Sequence, residues 1–338
     1  MRRLILAFAL VLAACVQNPS PPPAPFATAP GTGEAVSFVS GSYPTFRELF
    51  RQQPPTSVVT IPATLTFPDR AAARSPAVIL VHGIGGYRDD NEGWHAAQFR
   101  QAGFATLTYD SFAPRGLRGL PTGDQPPPWA SALADAYAAL VFLAHDPRID
   151  PNRIAIVGFS FGGEIAHLTA WSLAHDALTP GHERFAAHVG YYPAGVFGVI
   201  AYPGSYTGAP ILMLLGGRDE VLPLAKWHAY KDYAAKAGFP LPATEIVYPE
   251  GRHAWTIPAF YFPRYNPQLR SARACPTLMI MPGARGFLID GQLAADDPAL
   301  LKNCLAQGRG YALAFDESLR ARSTADTVAF LKRSLRLE

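Results

Sequence analysis

The sequence predicts an α/β fold: a mostly parallel central sheet with helices on both faces. Three observations carry that expectation. Short, wholly apolar runs such as Ala77–Val81 and Ile211–Leu215 suit strands buried on both sides of a sheet. Segments of helical periodicity alternate with them, which makes βαβ units joined by crossovers. The residues able to do chemistry fall just past these runs, at the carboxyl ends of strands, where such sheets gather ligands.

The chain has 338 residues, 49% of them hydrophobic and 16% charged, which suits a globular protein with a full core. The formal net charge is +3, and without Arg2 and Arg3 the charges nearly balance. No basic stretch alternates with aromatic residues, so nucleic-acid binding has no support.

Met1-Arg2-Arg3 is a positive head on an apolar run, Leu4 to Ala14. The run is too short for a bilayer span of about 20 residues and fits the core of a secretory signal. It ends Leu12-Ala13-Ala14-Cys15, which resembles the lipobox of bacterial lipoproteins. The resemblance implies removal of residues 1–14 and acylation of Cys15, so that a lipid anchor holds the protein on the periplasmic side of the envelope. Val16 in place of Asp leans toward the outer membrane by the same resemblance. Residues 15–34 carry six of the chain's 33 prolines between small residues, which makes them an extended tether. Residues 35–338 form the expected domain.

Within it, Val58–Phe67 reads as an outer strand, Ala77–Val81 as a buried one, Trp94–Ala102 as a helix and Phe104–Tyr109 as the next strand. Ser131–Ala144 places Leu133, Tyr137, Leu140, Val141 and Ala144 on one helical face. Ile154–Val157 is a strand, and a helix is expected from Ile165. Strands at Ala187–Tyr191, Ile211–Leu215 and Glu245–Tyr248 follow, with a helix at Pro223–Ala237 and a closing helix marked by Val328, Leu331 and Leu335. Cys275 and Cys304 admit one pairing outside the cytoplasm, and that disulfide would add roughly 3–4 kcal/mol by loop closure; two free buried thiols are the alternative.

The central motif is Gly158-Phe159-Ser160-Phe161-Gly162, between a buried strand and a helix. A serine there must turn sharply, and the strain lifts its hydroxyl clear. The helix start aims free N–H groups at the space beside it, where an ester carbonyl under attack gathers negative charge. A serine hydroxyl needs a base, and the base needs an orienting acid. Asp219, after the strand ending at Leu215, is the candidate acid, with Glu220 its neighbouring competitor. His253, on the loop after the last predicted strand, is the candidate base, and the order Ser160, Asp219, His253 matches that of α/β-hydrolases. In His82-Gly83-Ile84-Gly85-Gly86 the N–H of Ile84 is expected to pair with that of Phe161 as an oxyanion hole, Gly85 being the alternative donor. His82 is expected to buttress that loop. No metal-ligand spacing occurs.

These pieces, with Asp110-Ser111-Phe112-Ala113-Pro114-Arg115-Gly116 and Tyr191-Tyr192-Pro193, resemble the dienelactone hydrolase family from about Ala77 onward. The resemblance implies the α/β-hydrolase fold, hydrolysis of a small carboxylic ester or lactone through a Ser or Cys–His–Asp triad, and no cofactor. Position 160 is serine, whereas the family's namesakes use cysteine. An insertion around 256–312, bearing Cys275 and Cys304, has no counterpart in the core family. Arg115 either binds a substrate carboxylate or holds its loop through backbone carbonyls. Phe112, Tyr192 and Trp255 either line a pocket or pack. A non-catalytic envelope protein that binds a ligand or partner on this scaffold, and a peptidase or acyltransferase, are the alternatives.

Overall fold

The computed structural model describes residues 33–117, 128–179, 181–194, 199–200, 203–236, 238–275, 278–280, 286–289, 292–295, 303–304 and 306–337. The leader, the acylation candidate Cys15 and the tether up to residue 32 lie outside them.

Eight strands form the central sheet. In chain order they begin with β1 (Glu34–Ser42), β2 (Ser57–Thr66), β3 (Ser75–Val81), β4 (Ala105–Tyr109), β5 (Ile149–Phe159) and β6 (Ala187–Tyr191). After the short β7 (Val199–Ile200), which belongs elsewhere, come β8 (Ile211–Gly216) and β9 (Ala243–Tyr248). The spatial order is β1-β2-β4-β3-β5-β6-β8-β9, and β2 alone runs against its neighbours. β3, β4, β6 and β8 are buried along their whole length, as their unbroken apolar runs require.

Helices cover both faces. α3 (Trp129–Ala144), α4 (Phe161–Leu168) and α5 (Ser172–Leu178) pack with Ile79, Leu107 and Ile156; α1 (Phe46–Phe50) adds a small cluster around Leu49. α2 (Trp94–Gln101) and α7 (Glu317–Ser334) close the other face over Val78, Leu80 and Val157. Asp316 caps α7 by accepting from the Leu319 N–H at 2.8 Å. α6 (Leu224–Lys236) sets Trp227 and Tyr230 over Ile211, Met213 and Leu215. On α3 the expected face is only part of what is buried. Val141 and Ala144 are half-buried, while alanines all round its first turns are covered, because so small a helix surface lets several elements approach closely.

Between β9 and α7 the chain builds β10 (Arg264–Arg270), β11 (Leu278–Ile280), β12 (Gly286–Ile289), β13 (Gln292–Ala295) and β14 (Arg309–Leu313). β10 pairs with β14, while β11, β12 and β13 form a small sheet with β7. A disulfide joins Cys275 and Cys304 within this excursion.

Candidate active site

The strand β5 ends in the turn that carries Ser160. Its backbone has φ +53° and ψ −110°, and helix α4 begins at the very next residue, four residues earlier than the helical pattern suggests. That turn fits only because two neighbours lack side chains. A β-carbon on Gly158 would lie 1.9 Å from the Gly162 carbonyl oxygen, and one on Gly162 would lie 2.1 Å from that of Val81. The Ser160 N–H donates to the Tyr191 carbonyl at 2.9 Å, which ties the turn to the end of β6.

The structure brings three distant side chains to this edge. Ser160 Oγ lies 2.7 Å from His253 Nε2, and His253 Nδ1 lies 2.8 Å from Asp219 Oδ2. The other oxygen of Asp219 accepts from the N–H of Val221 at 2.7 Å and of Leu222 at 3.4 Å. With the carboxylate accepting a hydrogen bond from Nδ1–H, Nε2 carries the lone pair and faces the hydroxyl, as a general base must. All three residues are buried. Two backbone bonds lock the acid and base loops together: Gly217 N–H to the Tyr248 carbonyl at 2.7 Å, and Arg218 N–H to the Gly251 carbonyl at 2.8 Å.

Glu220, the competing acid, is turned away. Its Oε2 accepts the Ala312 N–H at 2.9 Å and so fastens β14 of the excursion. β14 also bridges His253 at Leu313, and the Tyr311 ring stands 5.7 Å from the imidazole. Sequence reading missed Tyr311, because it lies in a segment that carries no motif.

The loop His82–Gly86 runs beside the serine: a β-carbon on Gly83 would sit 3.7 Å from that of Ser160. Among the described residues, the N–H groups of Ile84 and Phe161 have no hydrogen-bond acceptor, which leaves both available to an oxyanion. His82 is fully buried. Its Nδ1 donates to the Gly83 carbonyl at 2.7 Å and its Nε2 accepts the Ser111 N–H at 3.0 Å. Burial holds its pKa below the ordinary histidine value, so it braces the loop as a neutral ring.

Of the two roles left open for Arg115, Tyr192 and Trp255, the structure shows contacts of the structural kind. Arg115 grips the fully buried Asp135 of α3 through both terminal nitrogens, each at 2.8 Å, and donates to the Ser111 carbonyl at 2.8 Å and to Ser42 Oγ at 3.1 Å. Its guanidinium is committed to the scaffold. Trp255 is completely buried, with its indole N–H on Ser323 Oγ at 3.1 Å. Tyr192 is equally buried, its ring 4.6 Å from Trp255 and 5.1 Å from His253, and its hydroxyl bonds Thr256. Both aromatics hold the histidine loop in place. Phe112 packs edge-on to His82.

Among the described residues, no group of three or more His, Cys, Asp or Glu side chains is arranged to hold a metal ion. None of the described helices is long and apolar enough to cross a membrane.

Comparison with known proteins agrees with this fold. The family model described as the dienelactone hydrolase family matches residues 61–268. A Methylorubrum extorquens protein whose name provisionally assigns it as a carboxymethylenebutenolidase is 32% identical over 140 residues, 41% of this chain and 46% of that protein. The quorum-quenching protein AidA of Acinetobacter baumannii is 28% identical over 157 residues, 45% of this chain and 49% of its own length. The chain thus spans about half the length of the curated relatives it matches. Among solved structures, a dienelactone hydrolase-like promiscuous phosphotriesterase from metagenomic libraries superposes with a TM-score of 0.52 at 16% identity, over 90% of this chain and 99% of that one. At that identity the likeness speaks for the fold.

Proposed function

Because the chain belongs to the dienelactone hydrolase family, we propose that it is a serine-dependent carboxylic-ester hydrolase that turns over a small ester or lactone through an acyl-enzyme. One observation supports this above the others: the continuous hydrogen-bonded line from Ser160 Oγ through His253 to Asp219. In this reading Ser160 Oγ attacks the carbonyl carbon while His253 Nε2 takes its proton. Asp219 stabilises the imidazolium, and the N–H groups of Ile84 and Phe161 hold the oxyanion. The tetrahedral intermediate expels the alcohol, which receives the proton from His253. Water then attacks the acyl-serine while His253 takes its proton, and the second tetrahedral intermediate breaks to free the acid as Ser160 Oγ receives that proton back from His253. The chain's own side chains supply every proton position in this sequence, and no cofactor enters it. Hydrolysis of a short-chain aryl ester by the purified protein, lost in Ser160→Ala, is the test. A binding protein on the same scaffold would show neither turnover nor labelling of Ser160 by a fluorophosphonate.

We also propose that acylation of Cys15 and the tether after it hold this domain at a bacterial envelope membrane, facing the periplasm, where the ester is encountered. The support is the order of residues alone: positive head, apolar run, small residues, cysteine. Cys15→Ser is expected to release the protein from the membrane fraction, and continued membrane association would contradict the anchor.

A further inference from the structure

A buried carboxylate below the oxyanion loop takes no part in the steps above. Glu92 belongs to a single π-helical turn, Asp89–Gly93, that joins the His82–Gly86 loop to α2, and it is 1% exposed. π-turns of this kind collect at functional sites. One oxygen of Glu92 accepts the Arg88 N–H at 2.9 Å and the other accepts Asn91 Nδ2 at 2.8 Å. The N–H groups of Glu92 itself and of Gly83 also favour its charged form, and Gly83 is the residue packed against Ser160.

The line continues on the far side. Asn91, fully buried, accepts from Thr256 Oγ1 at 2.7 Å through its amide oxygen. Thr256, having given its one proton to Asn91, accepts the proton of the Tyr192 hydroxyl. Tyr192 is held at φ +34° and faces the His253 ring. A single hydrogen-bonded chain therefore runs from Arg88, two residues past the oxyanion loop, through Glu92, Asn91 and Thr256 to Tyr192, which faces His253. Every donor that reaches Glu92 needs an oxygen lone pair. A proton on either oxygen weakens the bonds it accepts, so the ionised form is the one the geometry serves.

Resting on the serine-hydrolase reading, we propose that Glu92 is a positioning residue: its carboxylate holds the Arg88 N–H at the exit of the oxyanion loop and, through Asn91, Thr256 and Tyr192, sets that end of the loop at a constant distance from His253. Burial opposes the charge and pushes the Glu92 carboxyl up to about 7, against which the donors work. The charged or titratable groups around it are Tyr87 and Arg88 on the preceding loop, Asp89 and Asp90 in its own turn, His95 on α2 bonded to the Asn91 carbonyl, Tyr192 after β6, and Arg320 on α7 bonded to the Asp90 carbonyl. Arg88 is itself paired with Asp90, so it does not neutralise Glu92.

The test is Glu92→Gln in the full chain, assayed on a short-chain aryl ester beside wild type and Ser160→Ala. Removing one oxyanion donor outright costs about a hundredfold to a thousandfold in kcat, so loosening the loop is expected to cost about tenfold to a hundredfold with KM held within about threefold. The pH profile gives a readout that a structural role alone would not move. In wild type, protonating Glu92 as pH falls removes roughly the same tenfold to hundredfold that Glu92→Gln removes at every pH, so the ratio of wild-type to Glu92→Gln kcat/KM is expected to fall toward one at acid pH. A variant with wild-type kcat, or a wild-type to variant ratio that does not change with pH, overturns the proposal. If Glu92→Gln does not fold, Thr256→Val decides: it cuts the same chain at its midpoint, and is expected to lower kcat about threefold to tenfold. Wild-type kcat in that variant overturns the proposal equally. An inert Ser160→Ala beside a fully active Glu92→Gln refutes the positioning role alone, whereas an active Ser160→Ala refutes the serine mechanism from which it starts.

Discussion

Asp219→Asn is the substitution whose effect follows most directly from the geometry. The change keeps the size of the side chain and replaces one acceptor oxygen with an NH2 group. Which atom goes where is set by the surroundings. One carboxylate oxygen accepts from the N–H of Val221 at 2.7 Å and of Leu222 at 3.4 Å, and only an oxygen can stay there. Facing an NH2 toward those N–H groups would leave donors unmade, at about 1–3 kcal/mol. The amide nitrogen is therefore driven to the other site, 2.8 Å from His253 Nδ1. There it donates, so Nδ1 must accept, and the imidazole proton moves to Nε2. Nε2 lies 2.7 Å from Ser160 Oγ and can then no longer take the serine proton. In serine triads of this type, the wrong tautomer costs about 10⁴ in kcat, or about 5.5 kcal/mol of barrier. The assay is steady-state hydrolysis of a short-chain aryl ester, with near-UV circular dichroism to show that the fold is kept. A folded Asp219→Asn enzyme within about tenfold of wild type would refute the assignment of Asp219 as the orienting acid.

Two further predictions separate scaffold from chemistry. Glu220→Gln still offers an oxygen to the Ala312 N–H, so kcat is expected to stay within about threefold of wild type. A loss like that of Asp219→Asn in the same ester assay would instead make Glu220 the acid. Arg115→Ala leaves the fully buried Asp135 without its partner, and urea unfolding is expected to show a loss of about 3–5 kcal/mol. KM for neutral and carboxylate-bearing esters should then move together, and a rise confined to the carboxylate-bearing ones would return Arg115 to substrate binding.

The fold was legible where burial is two-sided. Ala77–Val81 and Ile211–Leu215 must be apolar throughout, because helices press on both faces of β3 and β8, and sequence shows that directly. The ends of these strands also announce themselves, since only glycine tolerates the close passages around Ser160. β1 is different. It is an edge strand with few buried residues, Phe38 and Ser40 among them, so its pattern is weak. β10 is arginine-bearing, mostly exposed and paired with β14, far along the chain, which no local pattern encodes. The same limit explains Arg115. Its partner Asp135 is twenty residues on, inside a helix whose buried face the sequence could not relate to the loop. From their neighbours in sequence, Tyr192 and Trp255 could either line a pocket or pack, and in the structure each spends its polar atom on another buried residue. Glu92 and Thr256 gave only the faint signal of lying a few residues beyond the His82–Gly86 loop and His253.

The most direct measurement is intact-protein and peptide mass spectrometry after treatment with a fluorophosphonate, followed alongside ester hydrolysis. One phosphonyl group on the peptide that contains Ser160, gained in step with the loss of hydrolysis, is the expected result. Hydrolysis that continues with Ser160 fully modified, or a serine that stays unmodified in a folded protein, would contradict a nucleophile activated by His253 and Asp219.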